Sequence, residues 1–323
     1  MQLFRVLGQA LLVVASASVA IARAEQAPNA SPLPVTVGVY LNQIYNVNLK
    51  DNQFTVDFYI WFRWPADKPL KPLESFELMN GHIESKSSFV DKEIKGQRYV
   101  SARIVAVINK LWDLREYPRD AHTLELQIED SQSDASDLVY VPDGANSGAS
   151  PSIRLPGWEV SHAQHRVEFH TYDTNYGDVS LPTGNQSRYS RFLYSVQIGR
   201  PGVGGLLKAF LPVLISTFVS FLAFLVRPTN HEARFALGIG ALFTVVASEI
   251  VVASGLPESD VLTLADKLHL ISVTVIFLTL LASAVSLRLY EDERVPAGER
   301  LDRVCLKAFP IAYLVVFAFL IQM

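Results

Sequence analysis

The stretch HEARFALGIGALFTVVASEIVVASGLP, residues 231–257, decides how the chain is read. Its centre, residues 235–254, is one apolar run, close to the ~20 residues a helix needs to cross the hydrocarbon of a bilayer. Helical spacing of three and four puts Glu232, Ala236, Gly240, Phe243, Ala247, Ile250 and Ser254 on one face. Most of these side chains are small, which suits either close packing against another helix or the lining of a narrow lumen. Glu232 closes the stripe at one end. Repeated around an axis, such a carboxylate attracts cations and repels anions; by itself it is also a favoured charge at a helix N-terminus. Glu249 sits deep in the same run, beside Ile250 but off the stripe. A carboxylate there is costly, so it is expected either at a helix or subunit boundary or in water near the outer mouth.

Three more apolar runs flank this one, at residues 203–226, 268–289 and 304–321. Strands standing alone in lipid leave backbone groups unpaired, so these are read as helices. The links between them are short, and short links make neighbours of successive helices. The first and third links carry Arg227, Arg234, Arg294, Arg300 and Arg303, whereas the second has only Lys267 at its edge. Excess arginine places the first and third links in the cytoplasm and the region before the first helix outside.

That upstream region, residues 25–201, reads differently. Phe54, Val56, Phe58, Ile60 and Phe62 alternate with Thr55, Asp57, Tyr59, Trp61 and Arg63, a period of two with one apolar face. The alternation recurs at Val100 to Ile108, Leu124 to Ile128 and Phe192 to Ile198, with turn-forming stretches between. Many short strands without helical period indicate a β-sandwich. Residues 1–24 read as a secretory leader: Arg5, an apolar run, then Ala22-Arg23-Ala24 as a small-x-small cleavage site. Leader and arginine count give the same orientation.

Composition narrows the function. The net charge of −4 and the lack of a basic block speak against nucleic acid as a partner. One cysteine, Cys305, excludes an internal disulfide and a cysteine-based metal site. His162, His165 and His170 match no metal or triad spacing, so neither an enzyme nor a cofactor is expected. Glu129, Asp130, Asp134 and Asp137 form an acidic cluster, either a solvated turn or a weak divalent site.

Several short motifs, in order, carry a resemblance. Tyr40-Leu41 through Phe54 to Trp64, the run from Asp113 to Asp120 with its Tyr117-Pro118, Gly157-Trp158-Glu159, Ile198-Gly199-Arg200, Leu211-Pro212, Leu256-Pro257 and Phe309-Pro310 resemble the pentameric ligand-gated channels, the Cys-loop receptor superfamily, and specifically their bacterial members. The positions of the two name-giving cysteines hold Lys110 and Leu124. The resemblance implies an α+β membrane protein in which an extracellular immunoglobulin-like β-sandwich precedes a four-helix transmembrane bundle, assembled as a homopentamer. It implies a ligand-gated or proton-gated ion channel in a bacterial inner membrane, with residues 25–201 in the periplasm and residues 202–323 forming the pore domain.

Carried over residue by residue, the resemblance pairs Arg200 with Asp120 and Asp51 and lets Pro257 receive the gating motion. Leu49 stands where the family usually has an acid; Asp51, two residues on, is its substitute. The agonist site would lie between subunits, with Tyr59 and Trp61 as one wall and Tyr172 and Tyr176 as a flap on the neighbour, Glu129 or Asp130 adding charge. Aromatic walls suit an amine; protons are the other candidate agonist. With Glu232 at the mouth, monovalent cations are the expected permeant ions. Phe243 is either the constriction of the closed pore or a packing residue, with Ala247 and Ile250 then closing it. A membrane-anchored receptor that does not conduct is the rival of another class.

Overall fold

The computed structural model describes residues 31–177, 179, 184 and 186–322. The expected leader lies outside the described residues.

Ten strands build the first half: β1 (Leu33–Asn48), β2 (Gln53–Pro65), β3 (Phe76–Leu78), β4 (Gly81–Ile94), β5 (Gln97–Asn109), β6 (Ala121–Asp130), β7 (Leu138–Pro142), β8 (Gly148–Ala149), β9 (Glu159–Tyr172) and β10 (Ser187–Gly199). One sheet has the order β4-β5-β2-β1-β7, with β8 also on β1; the other has β3-β6-β10-β9. The pairings are antiparallel except β1 with β7 and β8. The period of two determines what each sheet turns inward. Val37, Phe58, Ile60, Phe62 and Ile104 of the first sheet meet Leu126, Ile128, Phe192 and Tyr194 of the second, all essentially buried in one core. Burying each such side chain contributes about 1.5–3 kcal/mol, and the alternate positions are left for the outer faces.

A short helix, α1 (Pro72–Ser75), precedes β3. The second half is helical: α2 (Gly204–Phe221, prolonged by a 3-10 turn to Leu225), α3 (His231–Ala253), α4 (Leu264–Glu291) and α5 (Val295–Gln322). All four are long and apolar enough to span a bilayer. Three start earlier than the apolar runs suggest, at residues 231, 264 and 295 rather than 235, 268 and 304. Hydropathy marks only the part in hydrocarbon, whereas helical hydrogen bonding continues into the polar flanks. At α4 the early start is capped: the Thr263 side chain accepts from the Asp266 amide at 3.0 Å, and the Asp266 carboxylate accepts from the Thr263 amide at 2.8 Å, a reciprocal capping box. Each helix packs on its sequence neighbour, and α2 also meets α4.

The halves are joined at one end of the bundle. The amides of Leu264 and Ala265, in the first turn of α4, donate to the carbonyls of Arg115 and Tyr117 at 3.0 and 3.2 Å. Tyr117 packs among Phe210, Leu264 and Leu268, and Leu256 packs against the sandwich core. The sandwich therefore contacts the link between α3 and α4, and the other two links lie at the far end.

Candidate functional site

The second membrane helix has two unlike faces. Arg234, Gly238, Ala241 and Val245 are buried against the other helices. Gly238 is required there: a Cβ would stand 2.4 Å from Leu280 Cδ2 on α4, so the missing side chain lets the two helices approach. Glu232, Ala236, Gly240, Phe243, Ala247, Ile250 and Ser254 are all exposed, Phe243 at 72% and Ile250 at 65%. At about 100° per residue the two stripes lie on opposite sides of the helix. Glu249 lies nearer the packed side; it is exposed and makes no hydrogen bond or ion pair among the described residues.

Arg234 has a different position from the one the link reading gave it. It is fully buried. Its guanidinium forks onto Asp302 of α5, with Nη1 3.0 Å from Oδ2 and Nη2 on Oδ1. Ser286 of α4 donates to the same carboxylate at 3.0 Å.

At the domain junction, Asp120 is buried and holds two partners. Arg200 Nε donates to Oδ1 at 3.3 Å, and His122 Nε2 lies 2.7 Å from Oδ2. The Arg200 guanidinium also lies 3.7 Å over the Trp158 ring, brought there by Gly157, whose φ of +81° makes the turn. Burial raises the pKa of Asp120, but the His122 hydrogen bond and the nearby Arg200 charge outweigh it, and the carboxyl is held below its usual range. Asp51 does not join this pair, which corrects the expected triad. The inward position of its loop is taken by Leu49, buried in the sandwich core. Asp51 turns to solvent and bonds Asn48 at 2.7 Å. Pro257 lines a cleft of about 170 Å³ with Leu114, Leu256, Thr263 and Asp266, directly under the loop that carries Asp120.

The two aromatic walls occupy different sheets. Tyr59 and Trp61 share the outer face of β2, but Trp61 does not stand free, as the alternation had it. Its ring packs against β1 at Gly38, where any side chain would clash with it, and its indole N–H donates to Asp143 at 2.9 Å. Arg63 donates to the same carboxylate at 3.0 Å. A groove of about 670 Å³ opens beside them, lined also by Lys95, Gln97 and Tyr99.

On the other sheet, Tyr172 ends β9 and meets Tyr176 and Tyr189 edge-on at 5.8 Å each. Glu129 is buried and already paired: Arg191 Nε donates at 2.6 Å and the Tyr172 hydroxyl at 3.1 Å. It cannot supply an unopposed negative charge, a correction to its expected role. Burial and the Glu129 charge push the Tyr172 phenol up to about 12. Asp130 also departs from its expected role, because its carboxylate builds the following turn, accepting from the amides of Gln132 and Ser133 at 3.0 and 2.8 Å. Among the described residues no group of three His, Cys, Asp or Glu is placed to hold a metal.

His122, Arg191 and the Arg234–Asp302 pair were missed by the sequence reading. An arginine in the first turn of one membrane helix and an aspartate in the first part of another, at the same end of the bundle, was the available signal for the last.

No protein-family model matches the chain. It is 22% identical over 312 residues to a proton-gated ion channel of Gloeobacter violaceus, a match covering 90% of this chain and 83% of that protein. It is 22% identical over 286 residues to the γ-aminobutyric acid receptor subunit pi of Bos taurus and 20% identical over 283 residues to the receptor subunit rho-3 of Homo sapiens. Those matches cover 80% and 79% of this chain and 62% and 58% of the receptor subunits, so the chain spans about three fifths of their length.

Proposed function

Because the chain belongs to the pentameric ligand-gated ion channel family and is an ion channel subunit rather than an enzyme, we propose that copies of it assemble as a homopentamer around the exposed stripe of α3, forming a cation-selective pore. The observation that carries this reading is the division of α3 into a packed face and a stripe that its own protomer leaves uncovered. A closed ring of identical subunits turns one such stripe per chain into a lumen. Glu232 forms a carboxylate ring at its cytoplasmic mouth. Phe243 forms an apolar throat that stops ions by shedding water.

Gating runs from the sandwich to the helices. Asp120 holds Arg200, the last charged side chain before the membrane half, while its own loop rests on the first turn of α4 and on the cleft lined by Pro257. The stimulus acts on the sandwich at the boundary between subunits, where the Tyr59 and Trp61 face of one sheet meets the Tyr172 and Tyr176 flap of a neighbour's other sheet. The relatives are named for protons and for γ-aminobutyric acid, and either a proton or a small ammonium-bearing molecule is the agonist class proposed here. With the leader removed, the sandwich lies in the periplasm and the helices cross the inner membrane.

The test is current through the purified protein in a planar bilayer, across a panel of pH and small amines, in asymmetric KCl. The expected result is an open-channel current reversing near the potassium potential, with Glu232→Gln weakening that preference and Phe243→Ser producing leak. An anion-selective wild type would remove Glu232 from its role. Absence of current under every stimulus would favour the non-conducting receptor.

A further inference from the structure

The cytoplasmic end of α3 carries two opposite charges two residues apart. Glu232 is exposed on the stripe, and Arg234 is fully buried on the packed side. At about 100° per residue they point nearly opposite ways, yet they are separated along the axis by only about 3 Å. A bare guanidinium in a low-dielectric bundle acts over a long range and would cancel much of the field of the Glu232 ring.

The bundle removes that charge. Asp302 takes the guanidinium in a fork. The carboxylate is oriented by Ser286. α5 comes this close because Gly298 packs on the backbone of α4, where a Cβ would already stand 3.3 Å from the Ser286 carbonyl. Val226, at the end of the first membrane segment, accepts from Nη1 at 3.4 Å, and the Phe224 ring lies 5.8 Å away. Arg234 of α3 is thus tied directly to α5 and to the end of the first membrane segment, and through Asp302 to α4. The other charged side chains at this end, the acids Glu291, Asp292, Glu293 and Glu299 as well as the other arginines of the links, are exposed and screened by water and salt.

We propose that Asp302 is a selectivity-determining residue that never touches the permeating ion: it neutralises Arg234, so that the mouth of the pore presents the Glu232 charge alone. This rests on the reading of Glu232 as a pore ring. Removing the Asp302 charge while keeping its shape adds one uncompensated positive charge per subunit behind that ring.

The experiment compares reversal potentials in asymmetric KCl for the wild type, Asp302→Asn, Arg234→Gln with Asp302→Asn, and Glu232→Gln, each in the full chain. Asp302→Asn is expected to lower the cation-to-anion permeability ratio several-fold. The double variant is expected to restore the wild-type ratio, since it removes both charges and leaves Glu232 in place. A wild-type ratio in Asp302→Asn, or a double variant no better than the single, overturns the proposal. Where Asp302→Asn does not assemble, Arg234→Gln alone decides: it leaves the Asp302 charge unopposed and is expected to raise the cation-to-anion ratio, and an unchanged ratio overturns the proposal. Glu232→Gln separates the two readings. A shift there with no shift in Asp302→Asn sinks only the role of Asp302, and no shift there sinks the ring itself.

Discussion

The sandwich and the helix bundle differ in how their buried and exposed side chains divide between apolar and polar. In the sandwich the interior is Val, Ile, Leu, Phe and Tyr, and its ion pairs lie mainly on outer faces, as Arg103 with Asp57 does. In the bundle, Arg234, His269, Ser272, Thr279, Ser283 and Ser286 are fully buried, while Leu211, Ile215, Phe277, Leu281, Val315 and Phe319 are exposed. The difference reflects two solvents. Water drives apolar groups inward; lipid is as apolar as leucine, so membrane helices associate through small and polar contacts instead. α3 fits neither rule on its stripe, where small residues, an aromatic ring and a carboxylate are all uncovered, and the proposed lumen rests on that exception.

The largest expected effect lies in the water-facing half. Phe58→Ala opens a cavity in the sandwich core and should cost about 3–5 kcal/mol, read by thermal unfolding of the purified protein. A loss well under this would mean the core repacks and is not a tight apolar interior. In the bundle the sensitive contacts are polar and smaller. Ser272 and Tyr313 share a hydrogen bond of 2.7 Å; Ser272→Ala should cost about 1 kcal/mol. Ser283 has a buried hydroxyl with no partner among the described residues, so Ser283→Ala should be neutral or slightly stabilising. Equal costs at the two serines would break the claim that polar pairing holds the bundle.

The smallest effect is electrostatic. Partial burial and the neighbouring charges of Glu129 and Asp130 raise the pKa of Glu77. A carboxyl whose folded pKa is raised opposes folding when ionised. That opposition is complete above the folded value and gone below the unfolded value, near pH ~4. Glu77→Gln should therefore raise the unfolding midpoint slightly near neutral pH, with the gain disappearing as the pH falls to about 4. A gain independent of pH would point to packing instead.

The alternations at Phe54 to Phe62 and Phe192 to Ile198 were legible because one sheet face meets a core, and the α3 stripe was legible because helical spacing alone defines a face. What was not legible depends on contacts distant in the chain. Arg234 and Asp302 are separated by 68 positions, and Arg191 and Glu129 by 62; nothing local records that either charge is paired. Asp51 misled for the opposite reason. It was the nearest acid in sequence, but the inward place in its loop belongs to Leu49.

The most direct test of the account is water access along α3. In a Cys305→Ser background, single cysteines at 236, 240, 243, 247 and 250 are probed with a water-soluble thiol reagent during channel opening, against cysteines at 241 and 245. The account predicts modification and altered current at the first set and none at the second. Labelling of the first set only by a lipid-soluble reagent would put the stripe in the bilayer and contradict it.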